Sequence, residues 1–78
     1  MQLIWITEAH YLNDYKMMLV FNDGLQKVFD FGKLMCENQK VYGRLSDVSV
    51  FKDFELDGWT VTWLDGRLDV APEYLYNN

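Results

Sequence analysis

Cysteine, proline and histidine are almost absent from this chain. Cys36 is its single cysteine, so no internal disulfide can form, and an unstapled domain this small is expected in a reducing cytoplasm. The only proline, Pro72, stands near the end, and there is no repeat, low-complexity segment or linker. The five glycines are scattered, which excludes a glycine-rich phosphate loop. His10 and Cys36 are the only soft metal ligands, too few for a zinc site, and no cofactor is expected. Met1 to Trp5 carries no basic residue and Glu8 follows closely, so the start does not read as a signal sequence. No apolar run approaches the roughly 20 residues that span a membrane.

Bases are scarce at one end. Residues 53 to 78 hold Asp53, Glu55, Asp57, Asp65, Asp69 and Glu73 against Arg67 alone, whereas acids and bases balance in residues 1 to 52, so the net charge of −5 belongs to the last third. An acidic face repels phosphate backbones and attracts basic proteins, so direct nucleic-acid binding is disfavoured and a basic protein partner is favoured.

What is abundant is core material. In 78 residues only one domain fits, expected over 1–78, and so small a domain buries only about 60 to 65% of the surface of its unfolded chain. Three Trp, five Phe and five Tyr supply the dense interior that this demands.

Asp-Gly pairs at Asp23-Gly24, Asp57-Gly58 and Asp65-Gly66 each separate runs rich in β-branched and aromatic residues, a strong hairpin signal. A two-residue turn at Asp65-Gly66 sets Trp63 opposite Leu68 and Thr62 opposite Asp69. A two-residue turn at Asp57-Gly58 sets Leu56 opposite Trp59 and Glu55 opposite Thr60. Both registers place Phe54, Leu56, Trp59, Val61, Trp63, Leu68 and Val70 on an apolar face and Glu55, Thr60, Thr62, Arg67 and Asp69 on a polar one, which predicts a three-stranded meander. Upstream, strands are predicted over 3–9, 15–21 and 25–31. A three-residue loop Asn22-Asp23-Gly24 opposes Met17 to Phe29 and Lys16 to Asp30; a two-residue turn there mixes the faces. Met18, Val20 and Val28 then form an outer apolar stripe to be covered by a helix, by the first strand or by a partner. Short helices are predicted over 32–37, over 47–52 with Ser46 as N-cap, and from Pro72 through Tyr74, Leu75 and Tyr76. The fold class is α+β, a small single domain of antiparallel hairpins and a meander with short helices.

No catalytic constellation is present, and the chain is not expected to be an enzyme. His10 reads as a surface or satisfied histidine and Cys36, between Leu34, Met35 and Glu37, as a buried and inert thiol. The candidate binding residues are Glu55, Thr62, Arg67 and Asp69 on the meander, with Tyr74 and Tyr76 at its rim.

Tyr11-Leu12-Asn13-Asp14-Tyr15, Leu19 to Gly24, Val28-Phe29-Asp30, Val61-Thr62-Trp63, Asp65-Gly66, Leu68-Asp69 and Pro72 to Tyr76 resemble, in order and spacing, the bacterial family of domain of unknown function 2442. The closing segment is the most specific part. Leu64 stands where that family usually has proline, a departure expected to touch only the rigidity of the turn. The resemblance implies a small α+β domain, sometimes fused to a helix-turn-helix domain, in an antitoxin-like or regulatory role with a partner; with the chain ending at Asn78, contact with DNA is expected only through that partner. The leading expectation is therefore a non-enzymatic module docking a basic protein. The alternatives are self-association through Met18, Val20 and Val28 as a homodimer, and a small-molecule site around Thr62, Arg67 and Asp69.

Overall fold

A computed structural model describes residues 3–78; Met1 and Gln2 of the expected 1–78 domain lie outside the described residues. Over the described residues the fold is α+β, with two three-stranded antiparallel sheets and four short helices. Strands β1 (Ile6–Asn13), β2 (Lys16–Phe21) and β3 (Gln26–Asp30) form the first sheet in that order. Helices α1 (Gly32–Glu37) and α2 (Gln39–Tyr42), a 3-10 turn (Gly43–Ser46) and α3 (Val48–Phe51) connect it to the second. That sheet is the meander β4 (Glu55–Leu56), β5 (Val61–Trp63) and β6 (Leu68–Asp69), and α4 (Pro72–Asn77) closes the chain with Pro72 in its first turn.

The β2–β3 hairpin has the three-residue loop. Met17 faces Phe29, Lys16 faces Asp30, the Phe21 N–H donates to the Leu25 carbonyl at 2.9 Å, and Gly24 takes φ +91°. Only glycine adopts that conformation without strain. The first strand lies further along the chain than its predicted 3–9, because Asp14 adopts φ +47° and closes a tight hairpin that sets Asn13 against Lys16. Without glycine this turn carries no strong signal in the sequence. β1 is irregular, with register shifts between Ile6 and Glu8 and between Tyr11 and Asn13.

In the meander the β5–β6 register is the predicted one, Trp63 against Leu68 and Thr62 against Asp69. The β4–β5 register is not: Glu55 faces Thr62 and Leu56 faces Val61. The Asp57 carboxylate accepts both the Trp59 and the Thr60 N–H at 2.9 Å, so the loop runs from Asp57 to Thr60 instead of turning at two residues. Trp59 is thereby expelled from the apolar face. It is 40% exposed and stacks on Trp5 at 5.9 Å, while its carbonyl accepts the Ile6 N–H and ties the two sheets together. Nor is the opposite face uniformly solvated: Glu55, Arg67 and Asp69 are exposed there, but Thr60 and Thr62 are buried. The Thr60 hydroxyl donates to the Val70 carbonyl and that of Thr62 to the Glu55 carbonyl at 3.4 Å, which satisfies both groups inside the fold.

The core centres on Trp63, which stacks on Phe51 at 5.8 Å, meets Phe31 edge-on at 5.7 Å, and donates its indole N–H to the Phe51 carbonyl at 2.8 Å. Ile6, Met17, Leu19, Phe21 and Phe29 come to this core from the first sheet, Leu45 from the 3-10 turn and Leu75 from α4. Asp47, not Ser46, caps α3: its carboxylate accepts the Ser49 N–H at 3.0 Å and the Ser49 hydroxyl at 2.7 Å. Ser46 is consumed by the 3-10 turn, where its hydroxyl donates to the Gly43 carbonyl.

Leu64, Asp65 and Gly66 all take positive φ, +57°, +58° and +83°. Proline is locked near φ −65°. The residue at 64 therefore decides the path of this turn and not merely its stiffness, since a proline there is incompatible with the backbone seen in this chain.

Three aspartates hold loops together, and their titration has a sign. Asp23 is kept below its ordinary 3.8 chiefly by the Tyr76 hydroxyl and then by the Leu25 N–H, Asp47 by the Ser49 side chain and N–H, and Asp57 by the Thr60 and Trp59 N–H groups. A depressed carboxyl stabilises the fold above its unfolded value, and the effect is lost as pH falls through the folded value. The melting temperature is thus expected to hold near neutrality and to drop below about pH 4. Because Tyr76 is the main cause for Asp23, Tyr76→Phe should lose less melting temperature than the parent between neutral and acid pH. Equal acid losses in a thermal-melt series would contradict that coupling.

Candidate functional site

Six carboxylates lie in residues 53 to 78, and all belong to exposed residues. The Lys33–Glu37 ion pair and the hydrogen-bonded contact of His10 with Glu8, the close charged-group contacts among the described residues, involve none of them. Three of the six share one place. Asp53, Glu55 and Asp65 line a groove of about 280 Å³ between α3 and the meander, with Ser49 and Val50 on its helical side and Thr62 and Trp63 on β5. The chain path explains the meeting: Asp53 follows α3, Glu55 opens β4, and Asp65 sits in the turn that ends β5. Pairing Glu55 with Thr62 draws these segments around β5.

Of the candidate binding residues, Glu55 and Thr62 line this groove, Thr62 being 3% exposed at its base. Asp69 is the cross-strand neighbour of Thr62, and its carbonyl accepts the Tyr42 hydroxyl at 3.0 Å. Burial, followed by the charges of Asp69 and Tyr74, pushes the Tyr42 hydroxyl above its ordinary value, which joins Asp69, Tyr42 and Tyr74 in one neighbourhood. Arg67 is exposed beyond the β5–β6 turn and forms no ion pair among the described residues. Tyr76 is held by the first hairpin: its hydroxyl donates to Asp23 at 2.6 Å, its carbonyl accepts the Lys27 ammonium at 3.2 Å, and its ring meets Phe21 edge-on at 5.1 Å. The six expected residues therefore do not form one rim. Asp53 and Asp65 were missed, because Asp65 is accounted for as a turn residue and the register that joins Asp53 and Glu55 to it depends on a loop longer than Asp-Gly suggests.

Residues 6–78 match the family described as a protein of unknown function, DUF2442. The chain belongs to the DUF2442 family. No curated protein and no solved structure matches it. The family assignment gives this DUF2442 chain a fold relationship without an activity, so its chemistry rests on the geometry above.

Other residues of this DUF2442 domain offer less. His10 is exposed on β1 with its Nε2 3.1 Å from Glu8. Cys36 is exposed and not buried, because α1 turns Leu34 and Met35 inward and leaves the next residue outside. No group of three ligating side chains among the described residues is placed to hold a metal ion, and no helix there is long and apolar enough to cross a membrane.

Proposed function

We propose that this protein is a non-enzymatic binding module that docks a basic segment of a partner protein on its acidic meander, seating a Lys or Arg side chain in the groove between α3 and β5. The convergence of Asp53, Glu55 and Asp65 on that groove carries the reading. Unneutralised carboxylates facing one groove repel one another, and a partner cation relieves that repulsion while satisfying their lone pairs. A guanidinium suits the place best, because its fork can engage two carboxylates at once. The antitoxin-like or regulatory role implied by the family fits such a surface: a basic partner is captured in the cytoplasm and its activity is governed by occupancy, with no chemistry performed by the module itself.

The test is salt dependence of the complex. Attraction between exposed charges is screened over about 10 Å at 0.1 M salt and over about 3 Å at 1 M, so affinity for a basic partner should fall steeply across that range. Calorimetric titration with the co-purified partner measures it; an affinity indifferent to salt would refute electrostatic docking.

A further inference from the structure

Edges of β-sheets offer unpaired backbone groups, and proteins guard them with bulges, short strands, proline or lysine. Three of the four edges here are guarded. β1 carries two register shifts and its first residue is bonded to Trp59, and β4 and β6 are two residues each. β3 is different: it has five residues in regular register with β2 and no proline, and its one inward charge, Lys27, which could guard an edge, is taken up within the chain by the Tyr76 carbonyl.

The hydrogen-bond phase fixes what β3 presents. Phe21 bonds Leu25 and Tyr15 bonds Phe31, so the odd-numbered residues of β3 pair with β2 and the even-numbered ones direct N–H and C=O away from it. In that phase Gln26 and Val28 stand opposite Val20 and Met18 as non-bonded pairs, and no turn or loop hydrogen bond among the described residues reaches their backbone. Val28 is 56% exposed, and a groove of about 490 Å³ follows this edge past Phe29, Asp30, Leu34 and Tyr74.

We propose that β3 pairs antiparallel with β3 of a second copy of this chain about a two-fold axis at Val28, making one continuous six-stranded sheet. Self-complementarity selects the second copy as occupant. In that register Val28 meets Val28, Gln26 meets Asp30 and Lys27 meets Phe29, so no like charges face each other despite the net charge of −5 on each chain. The outward phase at Gln26, Val28 and Asp30 gives each a reciprocal pair of backbone hydrogen bonds. The axis also joins the outer stripe of Met18, Val20 and Val28 to its counterpart. This pairing is through the edge, and so differs from packing of that stripe face to face; it is also independent of the acidic groove.

Light scattering over a wide concentration range should show mass rising toward twice the 9.3 kDa of one chain. Val28→Pro removes an N–H that β2 does not use, so the variant should keep its circular dichroism and remain a single chain at every concentration. Val20→Lys alters the face without touching the edge backbone and should still dimerise. As a check that needs no variant, the Val28 amide should exchange slowly with solvent when concentrated and quickly when dilute. A single-chain mass throughout would overturn the proposal, as would a dimer whose Val28 amide exchanges freely or one that survives Val28→Pro.

Discussion

Trp63→Ala is expected to unfold the domain. Trp63 is 1% exposed, packs between Phe51 and Phe31, and spends its only polar group on the Phe51 carbonyl. Truncating a buried tryptophan costs about 3–5 kcal/mol through lost transfer energy and the cavity left behind. The orphaned Phe51 carbonyl adds about 1–3 kcal/mol if water cannot reach it. Against a total stability of about 5 kcal/mol at the low end for small domains, little folded protein remains. Chemical denaturation followed by fluorescence of Trp5 and Trp59 checks this, and a variant that melts like the parent would remove Trp63 from the centre of the core. Trp59→Ala should be far milder, because that ring is 40% exposed and stacks only on Trp5.

Neutralising the groove should have the next largest effect, on binding instead of folding. Asp53, Glu55 and Asp65 are exposed and make no ion pair among the described residues, so Asp53→Asn, Glu55→Gln and Asp65→Asn together should leave the melting temperature nearly unchanged or slightly raised. Each lost contact to a partner cation is worth about 0.5–1 kcal/mol, so the triple variant should bind roughly ten- to a hundredfold more weakly. A control that neutralises Glu8 and Glu37, the acids already paired with His10 and Lys33, should bind as the parent does. Equal losses in both variants would mean that net charge acts, not the groove.

Several elements were legible in the residues because two constraints agreed. The loop Asn22-Asp23-Gly24 is the one length that puts Met17 and Phe29 on the same side, and Asp65-Gly66 is the one turn that does so for Trp63 and Leu68. Pro72 likewise marks the first turn of α4. Elsewhere one local interaction overrode the pattern. The Asp57 side chain captures two backbone N–H groups, which lengthens its loop and slips β4 by two residues. An even slip preserves which face each side chain takes, so Val61 and Trp63 stay inside, but it releases Trp59 and moves Glu55 from Thr60 to Thr62. Alternation also assumes that a strand has one wet face. β5 has none: all three of its residues are buried, Thr62 among them, and so is Thr60 just before it. The groove depends on these features together: the slip, the burial of β5 and the left-handed turn at Leu64 and Asp65. None leaves a mark in composition or periodicity.

Resonance-resolved titration of the labelled domain with a short arginine-rich peptide tests the central claim most directly. Saturable shifts concentrated on the amides of Asp53, Glu55, Thr62 and Asp65, lost in the triple variant and weakened by salt, are the predicted result. Shifts scattered evenly over the acids of the whole chain, or none at the groove, would contradict it.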